Sequence, residues 1–212
     1  PGAPGRAASS SCFEADCVWP VSGRPCRGWA LGVWDSSLGR DEVLVGMAGG
    51  VVPFHVADDV WALQANPPVS CPVDVSHSDR TAMIGLAVDR VAAEPLWVDT
   101  GTIQLILPLR SADDVRTAAA DPRLLAKDGI RADGEALVYL WAPTGPDTIE
   151  ARLFFTQNGS VVEDPATGSA CANLGGWLLA TRHRGLRPRI QQGAPTPPPA
   201  TAGQAGDREG TD

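Results

Sequence analysis

The sequence contains no apolar run that approaches the roughly 20 residues needed by a membrane-spanning helix. The sequence also has few positively charged residues: it contains 17 Lys and Arg and 25 Asp and Glu, so the formal net charge is -8. An acidic balance of this kind disfavours a nucleic-acid-binding surface. The first residues read Pro-Gly-Ala-Pro-Gly and hold no apolar signal core. We therefore expect a cytoplasmic protein with no membrane and no nucleic acid among its partners.

Cysteine and histidine are scarce and scattered. The five cysteines are an odd number without paired spacing, which fits neither a disulfide framework nor a zinc site. None of the three histidines stands at zinc-finger spacing from a cysteine. We interpret all eight as isolated core or surface residues and predict no metal. They are Cys12, Cys17, Cys26, Cys71, Cys171, His55, His77 and His183.

What the sequence does contain is enough apolar residues for a packed core, since 43% of its 212 residues are hydrophobic. Residues 1–40 are rich in Gly, Pro, Ser and Arg without sustained periodicity, and we predict an irregular segment there. From Gln191 onward there is no Val, Ile, Leu, Phe, Met or Trp. This composition predicts a disordered Pro/Ala/Gly tail over residues 193–212.

The middle of the chain mixes strand and helix patterns, which predicts an α+β fold. Apolar runs predict two adjacent strands at 43–54 and 60–65, and further strands at 136–142 and 150–156. Alternating apolar residues at 103, 105, 107 and 109 predict a strand with one buried face. Helices are predicted over residues 79–92, from a Ser111 cap to residue 120, and from Asp121-Pro122 onward.

Residues 163–180 carry the pattern with the most chemical content. The string Glu-Asp-Pro-Ala-Thr-Gly-Ser-Ala over residues 163–170 predicts a strand end, a tight turn and the start of a helix. Gly175-Gly176 in that helix would permit close packing against strands. Its apolar residues at helical spacing are Leu174, Trp177, Leu178 and Leu179.

A helix start of this kind offers unpaired backbone N–H groups and a positive dipole end. Gly168 lets a ligand carboxylate approach those groups, Ser169 adds a hydroxyl, and Asp164 places a carboxylate at the rim. The arrangement suits the binding of an acid and its orientation for proton transfer. The alternative from spacing alone is an ordinary helix, with Thr167 or Ser169 as its cap and Asp164 as a turn residue.

The same string resembles the signature of the phenazine biosynthesis PhzF-like family. Three other segments are similar to that family: Val-Asp-Thr-Gly at 98–101 with the strand that follows it, Ala-Arg-Leu-Phe at 151–154, and residues 49–68. Together they extend the resemblance over about residues 43–192.

The resemblance implies a diaminopimelate-epimerase-like fold: two similar domains, each a β-rich barrel around a central helix, with the active site between them. It implies proton transfer on a small carboxylated substrate without metal or organic cofactor, and it leaves a homodimer as the assembly to consider. By the same resemblance Asp164 and Ser169 are catalytic, and Gly168, Thr167 and Ser169 bind substrate. We predict that Asp164 positions the substrate rather than donating a proton, because a helix amino terminus favours the charged carboxylate.

The sequence departs from the family's pattern toward both ends. The family's essential acid/base is a glutamate in the first half, after an Asn-Pro motif, and no Gly-Asn-Pro or Gly-His occurs here. Glu14 and Glu42 are the only glutamates before Glu94, and neither lies in a matching context. Residues 41–70 are therefore predicted to be a remnant of the first PhzF-like domain and residues 71–192 to be the second. Out-of-frame translation on both sides of a genuine middle would account for the two ends, and an intact reading frame at the locus would contradict that hypothesis.

Three functions stay open on the sequence alone. The chain is a PhzF-like isomerase in which an unrecognised residue supplies the base, a non-catalytic relative that retains an anion site, or an interaction protein whose ends bind partners.

Overall fold

The computed structural model describes residues 42–47, 50–57, 60–63, 65–130, 135–183 and 188–193. The predictions of an irregular start at 1–40 and of a tail beyond Gly193 lie outside these residues. None of the helices within the described segments is both long enough and apolar enough to span a bilayer.

Three antiparallel strands form a first sheet in the order β1-β2-β3, with β1 at Glu42–Met47, β2 at Gly50–Ala57 and β3 at Val60–Leu63. The sequence predicts two strands here, and that prediction is wrong. The apolar run at 43–54 doubles back where Met47 pairs with Gly50. Glycine weakens a strand interior and favours such a reversal, so one run forms both strands of a hairpin.

A second sheet holds seven strands and carries four helices. Its strands are β4 (Val69–Pro72), β5 (Leu96–Asp99), β6 (Ile103–Pro108), β7 (Leu137–Gly145), β8 (Thr148–Gln157), β9 (Ser160–Asp164) and β10 (Arg189–Gln192). The helices are α1 (His77–Met83), α2 (Ala112–Thr117), α3 (Pro122–Asp128) and α4 (Gly168–Ala180), with a short 3₁₀ turn at Val88–Arg90. The predicted strands at 136–142 and 150–156 are confirmed as β7 and β8.

The strand order is β10-β8-β7-β6-β5-β4, and β9 also pairs with β8. Pairs β6–β7 and β8–β10 are parallel and the other pairs are antiparallel. Mixed pairing with interspersed helices confirms the α+β class. Among the described strands β4 and β10 stand at opposite edges with no pairing between them, so the sheet is open rather than a closed barrel.

The long strand β8 uses one edge for two partners in succession. Residues 148–151 pair with β10, and residues 153–157 pair with β9 through a tight turn at Asn158-Gly159. Both turn residues have positive φ, 51° and 76°, which Asn and Gly adopt most readily. The sequence does not predict β10, whose Arg-Ile-Gln-Gln holds a single apolar residue. The last residue of β10, Gln192, lies beside the turn that follows β9.

The central strands are buried on both faces. Leu105, Leu107 and Val138 pack in a layer with residues of α1, α2 and α3, whereas Ile106 and Tyr139 pack in a layer with residues of α4. The prediction of one buried face for the strand at 103–109 is therefore wrong, because helices cover both sides of β6. Side chains still alternate with period two, and each set has its own apolar layer.

Two of the three helices of the first layer, α2 and α3, begin where the sequence predicts, and α2 ends before the predicted residue 120. Ser111 and Asp121 accept hydrogen bonds from the first-turn amides of α2 and α3, which confirms the Ser111 cap and the helix start at Asp121-Pro122. The helix predicted at 79–92 is instead α1 followed by the 3₁₀ turn. The interruption lies at Gly85, whose φ of +69° is the left-handed conformation that ends helices.

Candidate functional site at the start of helix 4

The turn between β9 and α4 is held by Asp164, Thr167 and Gln192. Oδ1 of Asp164 accepts from the Ala166 amide at 3.1 Å, and Oδ2 accepts from the Thr167 hydroxyl at 2.7 Å. The Gln192 side chain accepts from the Thr167 amide at 3.2 Å. Its Nε2 donates to the Asp164 carbonyl at 2.9 Å and to the Thr167 hydroxyl oxygen at 2.8 Å. Both ends of the turn are thereby fixed to β10.

The first turn of α4 lacks the side-chain cap that the other helices have. Ser76, Ser111 and Asp121 each accept from an amide of the helix that they precede. Thr167 occupies the same position before α4, but its side chain accepts no helix amide and its hydroxyl bonds Asp164 instead. The alternative of an ordinary capped helix, with Thr167 or Ser169 as cap, therefore does not describe α4.

This leaves the first amides of α4 unused within the described chain. The first backbone bond of the helix runs from the Cys171 amide to the Thr167 carbonyl at 3.2 Å. The amides of Gly168, Ser169 and Ala170 have no acceptor among the described residues. Three N–H groups at the positive end of a 13-residue helix form a site suited to a carboxylate or phosphate.

The Ser169 side chain continues into a buried chain of hydrogen bonds. Gln104 Nε2 lies 3.1 Å from Ser169 Oγ, and Asn173 Nδ2 lies 2.9 Å from Gln104 Oε1. Asn173 also donates to the Thr102 carbonyl at 2.8 Å and accepts from the Thr100 hydroxyl at 2.8 Å. These hydrogen bonds join the first turn of α4 to β6 and to the loop before β6.

Behind the first turn, the Cys171 thiol and the Tyr139 hydroxyl lie in apolar surroundings. Burial raises the pKa of the Cys171 thiol, and the nearby Tyr139 hydroxyl acts in the opposite direction. Burial also raises the pKa of Tyr139 well above its ordinary value. The two groups interact electrostatically, but the Tyr139 hydroxyl and the Trp141 indole N–H make no hydrogen bond of normal geometry with the described residues. A thiol in this environment is protonated at neutral pH and suits a core role.

The structure brings the four sequence-predicted site residues together, but in different roles. Gly168 and Ser169 are in the open first turn of α4, whereas Asp164 and Thr167 bond each other and shape the turn. The sequence reasoning missed Gln192, Gln104 and Asn173. A glutamine inside the otherwise apolar strand Ile103–Pro108 was the available signal for Gln104. Gln192 gave no such signal, because its segment is polar throughout.

Close packing along α4 involves one of its paired glycines. A Cβ at Gly176 would lie 2.7 Å from side-chain atoms of Pro68 and Val98, whereas one at Gly175 would meet nothing within 4 Å. Of the four apolar residues at helical spacing, Leu174, Trp177 and Leu178 are buried, but Leu179 is 54% exposed. Leu179 borders an open groove of about 540 Å³ between the helix and residues 65–68.

No group of three or more His, Cys, Asp or Glu side chains in the described segments is placed to hold a metal ion.

Comparisons with known proteins match both the motif and the fold. The model of the phenazine biosynthesis-like protein family, PhzC-PhzF, matches residues 35–203. An uncharacterized isomerase of Pasteurella multocida is 34% identical over 183 residues, which cover 85% of this chain and 61% of that protein. This chain thus spans about three fifths of the relative that it matches.

Two solved structures share the architecture. One is a phenazine biosynthesis protein of the PhzF family from Bacillus anthracis, with a TM-score of 0.60, 15% identity, and coverage of 76% of this chain and 57% of that one. The other is a predicted epimerase from Pseudomonas aeruginosa, with a TM-score of 0.52, 18% identity, and coverage of 72% and 55%. At these identities the likeness concerns the fold, which is therefore that of the PhzF and epimerase structures.

The family match covers most of the chain. The chain belongs to the phenazine biosynthesis-like family, whose members include PhzF-like isomerases. The resemblance drawn from residues 163–170 is confirmed.

Proposed function

We propose that the first turn of α4 binds the carboxylate of a small acid, and that the chain supplies the substrate-anchoring wall of a PhzF-like isomerase acting by cofactor-independent proton transfer. The observation that carries this proposal is the uncapped start of α4. The amides of Gly168, Ser169 and Ala170 have no described acceptor, and the Ser169 hydroxyl lies beside them.

The turn before α4 contributes rigidity to this site. Gln192 and Asp164 fix Thr167 from two directions, so a ligand would meet amides already held in place. A site organised before binding loses less ordering entropy when the ligand arrives. In this proposal Gly168 and Ser169 contact the substrate, while Asp164 and Thr167 hold the turn.

Hydrogen bonds to a charged group contribute roughly 1.5–3 kcal/mol each. Removing the Ser169 hydroxyl should therefore weaken carboxylate binding about tenfold or more. We expect anthranilate to bind the purified protein, measured by isothermal titration calorimetry, and Ser169→Ala to show this loss. Neutral anthranilamide should bind weakly, because it lacks the charge that the helix end attracts.

Ser111→Ala is the matched control. Ser111 caps α2 and lies outside the proposed site, so its loss should lower stability by about 1 kcal/mol and leave anthranilate affinity unchanged. Equal anthranilate affinity in the wild type and in Ser169→Ala would refute the site. Binding of anthranilamide as tight as that of anthranilate would also refute it.

A non-catalytic, anion-binding relative is the second candidate. Both Asp164 side-chain oxygens are engaged in the turn, which favours a structural role for this carboxylate over proton transfer. Deuterium incorporation into a trans-2,3-dihydro-3-hydroxyanthranilate-type acid in D₂O separates the two functions. Exchange above the buffer rate that is lost in Ser169→Ala supports the isomerase, whereas binding without exchange supports the second candidate.

A further inference from the structure

We infer that Gln104 is a positioning residue that makes the Ser169 hydroxyl a hydrogen-bond donor toward the bound ligand. The inference rests on the proposed carboxylate site at the start of α4. It concerns a side chain that lies inside the fold and does not touch the ligand.

The donor and acceptor assignments begin at a backbone carbonyl. The Thr102 carbonyl can only accept, so the Asn173 side-chain atom 2.8 Å away from it must be the amide nitrogen. The second hydrogen of that nitrogen points at Gln104, 2.9 Å away, and therefore requires the oxygen of the Gln104 amide. With its nitrogen so placed, the Asn173 oxygen accepts from Thr100 at 2.8 Å.

The orientation of Gln104 then determines what Ser169 can do. Because the Gln104 oxygen faces Asn173, its nitrogen faces Ser169 Oγ at 3.1 Å, and the serine oxygen accepts. A hydroxyl has one hydrogen, and no described residue accepts the one on Ser169. Like the amides of Gly168 and Ala170, that hydrogen has no acceptor among the described residues and is available to a ligand. The first turn of α4 thus offers a ligand three amide donors and one hydroxyl hydrogen.

Burial makes this orientation persistent. Gln104 is 1% exposed, Asn173 0% and Thr100 7%, so water cannot compete for their hydrogen bonds. Reversing Gln104 alone would set two amide nitrogens against each other, and reversing Asn173 alone would set its oxygen against the Thr102 carbonyl and the Gln104 oxygen. An unsatisfied buried group of this kind costs roughly 1–3 kcal/mol. Gln104 also lies in a strand whose neighbours are Ile103, Leu105 and Ile106, where an apolar residue would pack without that risk.

If the hydrogen bonds through Gln104 were purely structural, they would hold α4 against β6 without affecting the ligand. A double-mutant cycle separates this structural role from the positioning of Ser169. Gln104→Met keeps the length of the side chain and removes its hydrogen bonds. We expect it to weaken anthranilate binding about threefold to tenfold in the wild-type background and to cause no further loss in Ser169→Ala. Its effect on the melting temperature should be smaller in Ser169→Ala, because that variant has already lost the hydrogen bond between Gln104 and Ser169.

Equal losses of affinity in both backgrounds, or no loss in the wild-type background, would overturn the inference. If Gln104→Met gives no cooperative melt, Gln104→Asn takes its place in the cycle, because the shorter polar side chain cannot reach both Asn173 and Ser169. A wild-type protein that binds no anthranilate refutes the carboxylate site and this inference together. Binding that is lost in Ser169→Ala but unchanged in Gln104→Met refutes only the role of Gln104.

Discussion

The two adjacent glycines of α4 offer a direct test of how closely the helix packs on its sheet. Gly175 and Gly176 are adjacent in one helix, yet they face different surroundings. A methyl group added at Gly175 enters open space. One added at Gly176 falls 2.7 Å from both Pro68 and Val98, closer than Cβ atoms approach other heavy atoms.

The expected effects of Gly175→Ala and Gly176→Ala on the free energy of unfolding have opposite signs. Replacing glycine by alanine inside a helix stabilises it by about 1 kcal/mol, and this gain applies to both positions. Overpacking a core costs about 1–3 kcal/mol. The cost at Gly176 should lie at the upper end, because the ring of Pro68 is fixed to the backbone and Val98 is β-branched and fully buried. Gly175→Ala should gain about 1 kcal/mol, and Gly176→Ala should lose about 2 kcal/mol.

Urea unfolding, followed by tryptophan fluorescence and by circular dichroism, measures both changes as shifts in midpoint at constant m-value. Agreement of the two probes shows that the transition is two-state. Equal shifts in the two variants, or stabilisation by Gly176→Ala, would refute the close contact between α4, Pro68 and Val98.

Two other variants test buried polar groups. Tyr139→Phe removes a buried hydroxyl that makes no hydrogen bond of normal geometry with a described residue, so we expect the unfolding free energy to be unchanged or to rise by up to about 2 kcal/mol. Because burial raises the folded-state pKa of Tyr139, its contribution to stability is complete below about pH 10 and is lost as pH rises toward the folded-state pKa. Tyr139→Phe should therefore flatten the alkaline fall in stability, and an unchanged slope in urea unfolding between pH 9 and 11 would contradict this. Arg152 pairs with Glu163 at 2.7 Å and 2.9 Å and donates to three carbonyls at and after the end of α2. Arg152→Met should lower the unfolding free energy by about 3 kcal/mol. Arg123 is exposed, so the control variant Arg123→Met should change the unfolding free energy by no more than about 0.5 kcal/mol. Equal effects of the two substitutions would show that the Arg152 contacts contribute nothing to stability.

The sequence predicted most of the elements whose signals are local. Ser111 was identified as a cap and Asp121-Pro122 as a helix start, because the residue before a helix bonds amides only two or three positions away. The helix at 79–92 was overextended, since apolar spacing continues through Leu86 while the chain reverses at Gly85. β10 was missed because its stability comes from pairing with β8 rather than from its own composition.

The candidate site divides in the same way. The string at 163–170 was sufficient to locate the start of α4 and to indicate the family, which the comparisons confirm. It could not show whether Thr167 caps the helix, because that depends on whether the hydroxyl bonds the helix or Asp164. The position of Gln192, which holds the turn from 28 residues further along the chain, supplies part of the answer.

The sequence by itself determined the α+β class, the starts of α2, α3 and α4 and the family, because each depends on residues within a few positions of one another or on a contiguous motif. Only the tertiary structure decided that β6 is buried on both faces, that Gly176 rather than Gly175 is packed, and that Gln104 reaches Ser169 and Asn173. Those contacts join residues 65 and 69 positions apart. Local preferences do not specify such separations, whereas the pairing of strands and the packing of α4 against them do.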